Sequence, residues 1–367
     1  QGHLPLLRHG VHLEAWCKST RTLKVLIVAP NWIGDAVMSL SLIQALHQDN
    51  TLRFADGRPC EIHVLAPPVT APVYQFSHAV RAVQVEPFSH GKLQWRLRKQ
   101  VGASLAGRGF DMAVVLPNSL KSALVPWFAG IPKRVGYSGE LRTAVLTHPL
   151  PKPSKKAKPP MIEWYGQLGA YFADVLEFPV LHVEEGMRIE ACTEFGLQPG
   201  FLAIAPGAEF GPAKRWPAGH FAEVATGFLL RNPSQKAVLF GGPKDSGFCG
   251  EILGLLPLDL QTRASSLAGK TSLAQAVALM SAASQLLTND SGLMHVAAAL
   301  NVQVHAVFGS SSPHHTPPLS SRAKVYYLNL ECSPCFQREC PLGHTNCLKK
   351  LDPKMVLEQL VPASQGV

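Results

Sequence analysis

The chain has 367 residues, 46% of them hydrophobic, and a formal net charge of +9. This length and composition exclude a disordered chain and can supply more than one apolar core, so two domains of ordinary size are expected. No stretch has the length of uncharged apolar sequence that a membrane span needs, and the start of the chain lacks an apolar segment followed by a small-residue cleavage site. A cytoplasmic location is therefore expected.

Strand and helix patterns begin after residues 1–21, which are interpreted as an N-terminal extension or cloning remnant. The run "LKVLIVAP" (23–30) predicts a buried strand, and "AVMSLSLIQALHQ" behind it has helical spacing. The strand signal returns in "EIHVLAP" and "DMAVVLPN". It stops at "PLPKPSKKAKPP" (149–160), whose prolines and lysines indicate an exposed loop or linker.

The alternation resumes in the second half of the chain with four strand signals: "FLAIAPG" (201–207), "KAVLFGGP" (236–243), "SQLLTND" (284–290) and "VQVHAVFG" (302–309). Strands that alternate with helices form parallel sheets with helices on both faces. We therefore predict an α/β protein with two Rossmann-like, doubly wound domains whose strand ends face a central cleft. The predicted ranges are 22–180 for the first domain, 181–360 for the second and 361–367 for a tail.

Basic residues are concentrated in one segment. Between Lys92 and Lys158 there are thirteen Lys or Arg residues and two acidic ones, so the rest of the chain is slightly acidic. Such a local excess of positive charge indicates a polyanionic partner. Three kinds of partner fit: nucleic acid, an anionic membrane surface or a phosphorylated substrate. The alternative is a solvated face whose lysines serve solubility.

Loops at the carboxyl ends of parallel strands bind ligands in such sheets, and three of these loops carry unusual residues. "APNWIGDAVMS" (29–39) holds Asp35 immediately before the predicted helix, either as its N-cap or as a general base at the cleft. This loop lacks the glycine spacing of a dinucleotide site. "PGAEFGPAKRWP" (206–217) offers Glu209 and then Lys214, a mobile cation suited to a phosphate.

The third loop, "TNDSGLMHVAAAL" (288–300), collects polar groups at the start of a helix. In one interpretation Asp290 or Ser291 is simply the N-cap. In the other, Gly292 clears space before the first backbone N–H groups, and His295 lies one turn above Ser291 on the same face. Bare amides, a positive helix end and a polar side chain would then bind an anion.

Four of the eight cysteines fall within residues 332–347, "CSPCFQRECPLGHTNC", together with His344. A C-x2-C pair followed by further cysteines resembles a tetrahedral zinc site, although the second pair lacks that spacing. Three interpretations of this Cys-rich loop stay open: a structural zinc, unmetallated thiols in a packed loop, or a disulfide, which a reducing cytoplasm disfavours. The candidate ligands are Cys332, Cys335, Cys340 and Cys347.

Four motifs together carry a family resemblance: "PNWIGDAVMSLSL", "LPNSLKSALVPWFAGIPKRVGY", "PGAEFGPAKRWP" and "TNDSGLMHVAAALN". In this order, from about Leu23 to Leu360, they resemble the ADP-heptose:lipopolysaccharide heptosyltransferases of glycosyltransferase family 9. The resemblance implies a GT-B fold whose C-terminal domain binds most of the donor. It also implies an inverting enzyme that moves L-glycero-D-manno-heptose from ADP-heptose to the first heptose of heptosyl-Kdo2-lipid A in the lipopolysaccharide inner core.

The resemblance further implies roles for single residues. Asp35 matches the family's proposed catalytic base, and Lys214 matches its phosphate-binding lysine. The other donor-binding candidates are Glu209, Asp290, Ser291, Gly292 and His295, and the acceptor-binding candidates are Asn118, Lys121, Arg134 and Arg142. No metal is expected in catalysis, because a lysine and a helix end can stabilise the departing diphosphate.

The expected partners are ADP-heptose, a lipid A-linked acceptor and the anionic inner face of the inner membrane, where the chain would be a peripheral monomer. One alternative is an ADP-heptose-dependent transferase with another acceptor, such as a protein. The other is a non-catalytic nucleic-acid binder. Few aromatic residues interleave with the basic ones between Lys92 and Lys158, and this disfavours a nucleic-acid partner.

Overall fold

The computed structural model describes residues 22–48, 60–89, 91–153, 158–169 and 176–360. These residues form two parallel sheets of six strands each, as the alternating pattern predicts. The predicted extension at residues 1–21 and the predicted tail at 361–367 lie outside the described residues. Among the described helices, none combines the length and the apolar character that crossing a membrane requires.

The first sheet contains the strands β1 Leu23–Val28, β2 Cys60–Ala66, β3 Ala82–Val85, β4 Met112–Val115, β5 Lys133–Tyr137 and β6 His148–Leu150. Its spatial order is β3-β2-β1-β4-β5-β6, and every neighbouring pair is parallel. In the central register Val25 pairs with Ile62 on one side and with Met112 on the other. The helices of this half are α1 Ile33–Gln48, α2 Ala71–Gln75, α3 Trp95–Leu105, α4 Leu120–Phe128 and α5 Met161–Leu168.

The second sheet contains β7 Leu202–Ala205, β8 Ala237–Leu239, β9 Ala264–Ser266, β10 Gln285–Asn289, β11 Gln303–Val307 and β12 Ala323–Tyr326. Its order, β12-β11-β10-β7-β8-β9, repeats the order of the first sheet. The helices of this half are α6 Glu185–Glu194, α7 Ala218–Arg231, α8 Ser246–Gly254, α9 Leu258–Gln261, α10 Leu273–Met280, α11 Gly292–Ala299, α12 Asn346–Lys349 and α13 Pro353–Leu357.

Each sheet reverses its strand order at one point, between β1 and β4 in the first and between β7 and β10 in the second. Ligands bind outside the carboxyl ends of the strands at such switch points, because the flanking loops leave in opposite directions and open a crevice. All three loops that the sequence analysis singled out follow switch-point strands: 29–39 follows β1, 206–217 follows β7 and 288–300 spans the end of β10. The fold therefore confirms their predicted position.

The two halves share apolar contacts. Helix α1 is apolar on all its faces because it is covered on all of them, by its own sheet, by α5 and by α11 of the second half. The core around α1 accordingly includes Val277, Val296 and Leu319, which come from beyond the first sheet. This packing holds the start of α1 against the start of α11 and thereby positions the site described next.

Candidate active site

Asp35 lies in the first turn of α1, which begins at Ile33. The expectation that Asp35 immediately precedes its helix, as an N-cap, is wrong, because the helix starts at Ile33, three residues before the apolar pattern that begins at Ala36. The carboxylate instead points into the cleft. The Tyr165 hydroxyl of α5 donates a hydrogen bond to it.

The electrostatic environment of Asp35 suits a general base. Burial raises the pKa of Asp35 to about 6, while the hydrogen bond from Tyr165 and the positive charge of Lys214 lower it. Burial also raises the pKa of Tyr165, so this hydroxyl stays protonated and donates. A carboxyl group with a pKa near 6 is ionised at neutral pH and is more basic than an exposed aspartate.

Lys214 and Asp290 form an ion pair within the second half. The Lys214 ammonium donates to the Asp290 carboxylate at 2.5 Å, and the two side chains are 18% and 5% exposed. Both charges influence the pKa of Asp35, so the three groups lie close together across the cleft. Both residues were predicted to bind the donor, but no sequence motif indicates that Asp290 is the counter-ion of Lys214.

The start of α11 has the features of an anion site. Ser291 occupies the N-cap position, but its side chain makes no capping hydrogen bond and contacts the Thr288 hydroxyl at 3.1 Å instead. The prediction that Ser291 is the N-cap residue is therefore confirmed for its position, but the capping hydrogen bond of its side chain is absent. His295 is buried, its Nδ1 atom has no hydrogen-bond partner, and burial lowers its pKa to about 4. A neutral imidazole with a free polar atom is available to a ligand.

Two glycines allow α1 and α11 to approach each other. A Cβ atom on Gly34 would lie 2.8 Å from the His295 ring, and a Cβ atom on Gly292 would lie 2.9 Å from the Cβ atom of Ile33. Both distances are shorter than real contacts, so a side chain at either position would push the two helix ends apart. The two positive helix ends therefore converge on one region of the cleft.

A cavity of about 440 Å³ opens beside Asp35. The loops after β1 and β4 form one part of its lining. The other part comes from α5, from Lys158 before this helix and from His315 of the second half. Its polar and aromatic lining includes Asn31, Trp32, Asn118, Lys158, Trp164, Tyr165 and His315. Asp35 thus lies between this cavity and the Lys214–Asp290 pair. No motif marks Tyr165 or His315, and Lys158 was counted only as a member of the basic segment that ends there.

The segment before α5 closes one side of this cavity. The His315 ring donates from Nδ1 to the Pro159 carbonyl at 2.7 Å, and the Met161 amide donates to the His315 carbonyl at 3.0 Å. The Lys158 ammonium lies over the Phe336 ring of the Cys-rich loop. The predicted exposed linker at 149–160 is therefore not wholly free, because its end is held against the second half.

Of the four acceptor candidates, the structure brings Asn118 alone into the cavity lining. Arg134 donates to the carbonyls of Ile131 and Val145, so its guanidinium braces the chain around β5. Arg142 is fully buried and donates to the Pro117 carbonyl behind the cavity wall. Lys121 lies in the first turn of α4, where its carbonyl accepts a bond from Arg98.

The loop that carries Lys214 is held from two sides. Asn289, at the end of β10, donates to the Pro206 carbonyl and accepts from the Trp216 amide. On the other side the Arg338 side chain donates to the Phe210 carbonyl at 2.7 Å, and the Ala213 amide donates to the Arg338 carbonyl at 3.0 Å. Glu209 in this loop is exposed and pairs with the exposed Lys244.

The Cys-rich loop therefore packs against the Lys214 loop. Burial raises the pKa of Cys347, and the nearby thiols of Cys332, Cys335 and Cys340 raise it further. The four thiols are thus neighbours, but in the part of the chain that the structure describes no three Cys, His, Asp or Glu side chains are arranged to hold a metal ion. Cys60, Cys192 and Cys249 are buried elsewhere in the core.

The geometry defines a class of protein. Two Rossmann-like halves of the same strand order meet so that a buried carboxylate from one faces a lysine and a bare helix end from the other. This is the arrangement of a GT-B glycosyltransferase, in which an acceptor and an activated sugar meet in the interdomain cleft.

Comparison with known proteins gives the family. The sequence model of glycosyltransferase family 9 (heptosyltransferase) matches residues 96–346. Lipopolysaccharide heptosyltransferase 2 of Escherichia coli K12 is 40% identical over 350 residues, which cover 92% of this chain and 97% of that protein. Lipooligosaccharide heptosyltransferase 2 of Haemophilus influenzae is 38% identical, with coverages of 92% and 98%. The solved structure of E. coli ADP-heptose lps heptosyltransferase II matches with a TM-score of 0.77 at 38% identity, covering 92% of this chain and 97% of that one.

The chain therefore belongs to glycosyltransferase family 9, and it is a glycosyltransferase. The resemblance and the GT-B fold that the sequence analysis expected are confirmed.

Proposed function

We propose that this chain is an inverting transferase that moves L-glycero-D-manno-heptose from ADP-heptose to the first heptose of the lipopolysaccharide inner core. The observation that carries this proposal is the position of Asp35, between a cavity on one side and the Lys214–Asp290 pair on the other. The similarity to proteins named heptosyltransferase 2 extends over more than nine-tenths of the chain and supports this choice of donor and acceptor.

In the proposed reaction the acceptor hydroxyl oxygen attacks the anomeric carbon of the heptose from the side of Asp35. Its proton passes to the Asp35 carboxylate, the bond between the anomeric carbon and the diphosphate oxygen breaks, and the electron pair leaves with ADP. One bond forms as another breaks on the opposite face, so the configuration inverts. The raised pKa of Asp35 favours the proton transfer, because it brings the base closer to the operating pH.

The donor side must stabilise the negative charge that grows on the diphosphate. Lys214 is only partly exposed, so its charge acts in a region of reduced solvent screening. The free amides at the start of α11 and the neutral His295 add hydrogen-bond donors without adding charge. Asp290 orients Lys214 and can accept hydrogen bonds from sugar hydroxyls. These groups make a metal unnecessary for the departure of ADP.

The acceptor side is assigned to the cavity beside Asp35. Its volume of about 440 Å³ lies in the usual range for ligand sites. Trp32 and Trp164 offer apolar faces to sugar rings, and Asn118 offers an amide whose Oδ1 atom is buried without a partner. Lys158 supplies a positive charge for an acidic sugar or a phosphate of the acceptor.

We also propose how the two halves share the substrates and where the enzyme acts. The first half would bind the acceptor and the second half ADP-heptose, with the chain acting as a monomer that attaches peripherally to the cytoplasmic face of the inner membrane. Zinc in the Cys-rich loop would have a structural role. Turnover would therefore continue in the presence of a chelator under conditions in which the protein stays folded.

The test is the variant Asp35→Asn, assayed by ADP release and product mass with ADP-heptose and a truncated lipopolysaccharide that ends in one heptose. Loss of a general base lowers turnover by about 10²-fold or more, while ADP-heptose binding is retained. The control is Asp111→Asn, because Asp111 is also a buried aspartate but accepts a hydrogen bond from the Lys24 amide at the amino ends of β1 and β4, away from the site. Near-native activity of Asp35→Asn, or transfer to another acceptor but not to this one, would contradict the proposal.

A further inference from the structure

An aromatic cluster lies on the surface of the first half, where α3 packs against α4. Trp95 contacts Phe128 edge to face with ring centroids 5.0 Å apart, and Trp127 contacts both rings. These contacts leave Trp95 46% exposed, Trp127 39% exposed and the preceding Leu93 50% exposed. Large apolar side chains that remain this exposed side by side indicate an interaction surface.

The same surface is strongly basic. Lys92, Arg96 and Lys99 are exposed next to Trp95, and Lys99 lies one helical turn from it on the same face. Helices α3 and α4 contain no acidic residue, and the neighbouring Glu86 interacts with Arg98 and Lys121 rather than with these three exposed cations. Cations in the first turn of α3 also oppose the helix dipole, so an external anion would relieve an unfavourable arrangement.

The surface is connected to the rim of the cavity. The Arg98 side chain, from the first turn of α3, donates to the Lys121 carbonyl in the first turn of α4 at 3.0 Å. Three residues before Lys121 stands Asn118, which lines the cavity beside Asp35. A partner that covers the exposed aromatic rings therefore lies on the acceptor side of the protein.

We infer that Leu93, Trp95 and Trp127, with Lys92, Arg96 and Lys99 around them, form a surface that docks on an anionic lipid bilayer. Tryptophan rings prefer the headgroup region, where an apolar ring and a polar N–H are both accommodated, and lysine and arginine are attracted to acidic lipids. The inference rests on the proposed function, because a lipid-linked acceptor requires that the cavity and the membrane meet on one side. It adds the surface that makes the contact.

The experiment measures binding of the full chain to vesicles without ADP-heptose or acceptor. Vesicles of phosphatidylcholine and phosphatidylglycerol in equal parts are compared with vesicles of phosphatidylcholine alone, by co-sedimentation at low and high salt. We expect binding to the acidic vesicles that weakens with salt, together with quenching of tryptophan fluorescence by brominated lipid. The double variant Trp95→Ser, Trp127→Ser is expected to bind on the order of tenfold or more weakly and to lose most of the quenching.

A second variant tests the charges without removing aromatic packing. Arg96→Glu with Lys99→Glu is expected to weaken binding to acidic vesicles by about tenfold or more. Its matched control is Lys349→Glu with Lys350→Glu, two exposed lysines at the end of α12, which should bind as the native chain does. Unchanged melting temperatures and unchanged turnover with detergent-dispersed acceptor establish that the variants are folded.

Native binding by both surface variants, or no binding of the native chain to acidic vesicles, would overturn the inference. So would a dimer of the native chain in sedimentation that the tryptophan variant dissociates, because a second copy would then cover this surface. Failure of the proposed function has a different signature, since vesicle binding would persist while heptose transfer is absent.

Discussion

Replacement of Tyr165 by Phe removes the hydroxyl that bonds Asp35 and leaves the ring in place. The hydroxyl stabilises the ionised carboxylate, so its loss raises the pKa of Asp35 above the value of about 6 that the group has with this hydrogen bond in place. A hydrogen bond to a charged group contributes about 1.5–3 kcal/mol, and one pKa unit corresponds to about 1.4 kcal/mol. Asp35 lines the cavity, so a water molecule can replace part of the lost hydrogen bond. We therefore expect the pKa of Asp35 to rise by about one unit.

The sign of the effect follows from the role of Asp35 as a base, which acts only when ionised. Near pH 6 the ionised fraction falls from about one half to about one tenth, so kcat/KM of Tyr165→Phe is expected about fivefold below native. Near pH 8.5 both forms are almost fully ionised, so the two rates converge to within about a tenth. The assay is the pH profile of kcat/KM for ADP release, with buffers matched in ionic strength.

Tyr74→Phe is the matched control for this profile. Tyr74 is also buried next to α1, but its hydroxyl bonds the Ser39 hydroxyl at 3.0 Å. Its removal should leave the acidic limb of the profile unchanged. An equal loss in Tyr165→Phe at every pH, or an acidic limb that does not move, would refute the reasoning that Tyr165 sets the pKa of a catalytic Asp35.

Three further predictions address the donor side and the Cys-rich loop. Lys214→Ala leaves Asp290 buried and unpaired beside the diphosphate, so calorimetry should show ADP-heptose bound about 10²-fold more weakly. The control Lys236→Ala, which removes an exposed lysine bonded to the Gly196 carbonyl, should bind it normally, and equal affinities of the two variants would place the diphosphate elsewhere. Gly292→Ala forces the start of α11 away from α1, so turnover should fall about tenfold or more. The control is Gly247→Ala, whose added Cβ atom meets open space, and native turnover of Gly292→Ala would show that the close approach is not needed. If the loop 332–347 holds zinc, protein purified without chelator should contain it in near-stoichiometric amount, and chelation should lower the melting temperature; absence of metal with four alkylatable thiols would instead establish a packed, unmetallated loop.

The sequence by itself determined the strands of the sheet centres and the loops that carry the chemistry. The central strands are buried on both faces, so they are continuous apolar runs that a sequence reveals, and β1, β2, β4, β7, β8, β10 and β11 were all predicted. The four edge strands β3, β6, β9 and β12, and β5 beside the edge strand β6, escaped prediction because they are partly exposed, which weakens the apolar signal.

Only the tertiary structure decided how the polar residues of the site are paired. Asp35 and Tyr165 are 130 residues apart, and their hydrogen bond exists because α5 returns to pack on α1. Lys214 finds Asp290 because β7 and β10 are neighbours in the second sheet. Such contacts depend on which elements lie side by side, and periodicity and motif spacing carry information about one element at a time. For the same reason a sequence can show that Ser291 stands before a helix, whereas its bond to Thr288 and the free amides behind it are decided by the packed loop.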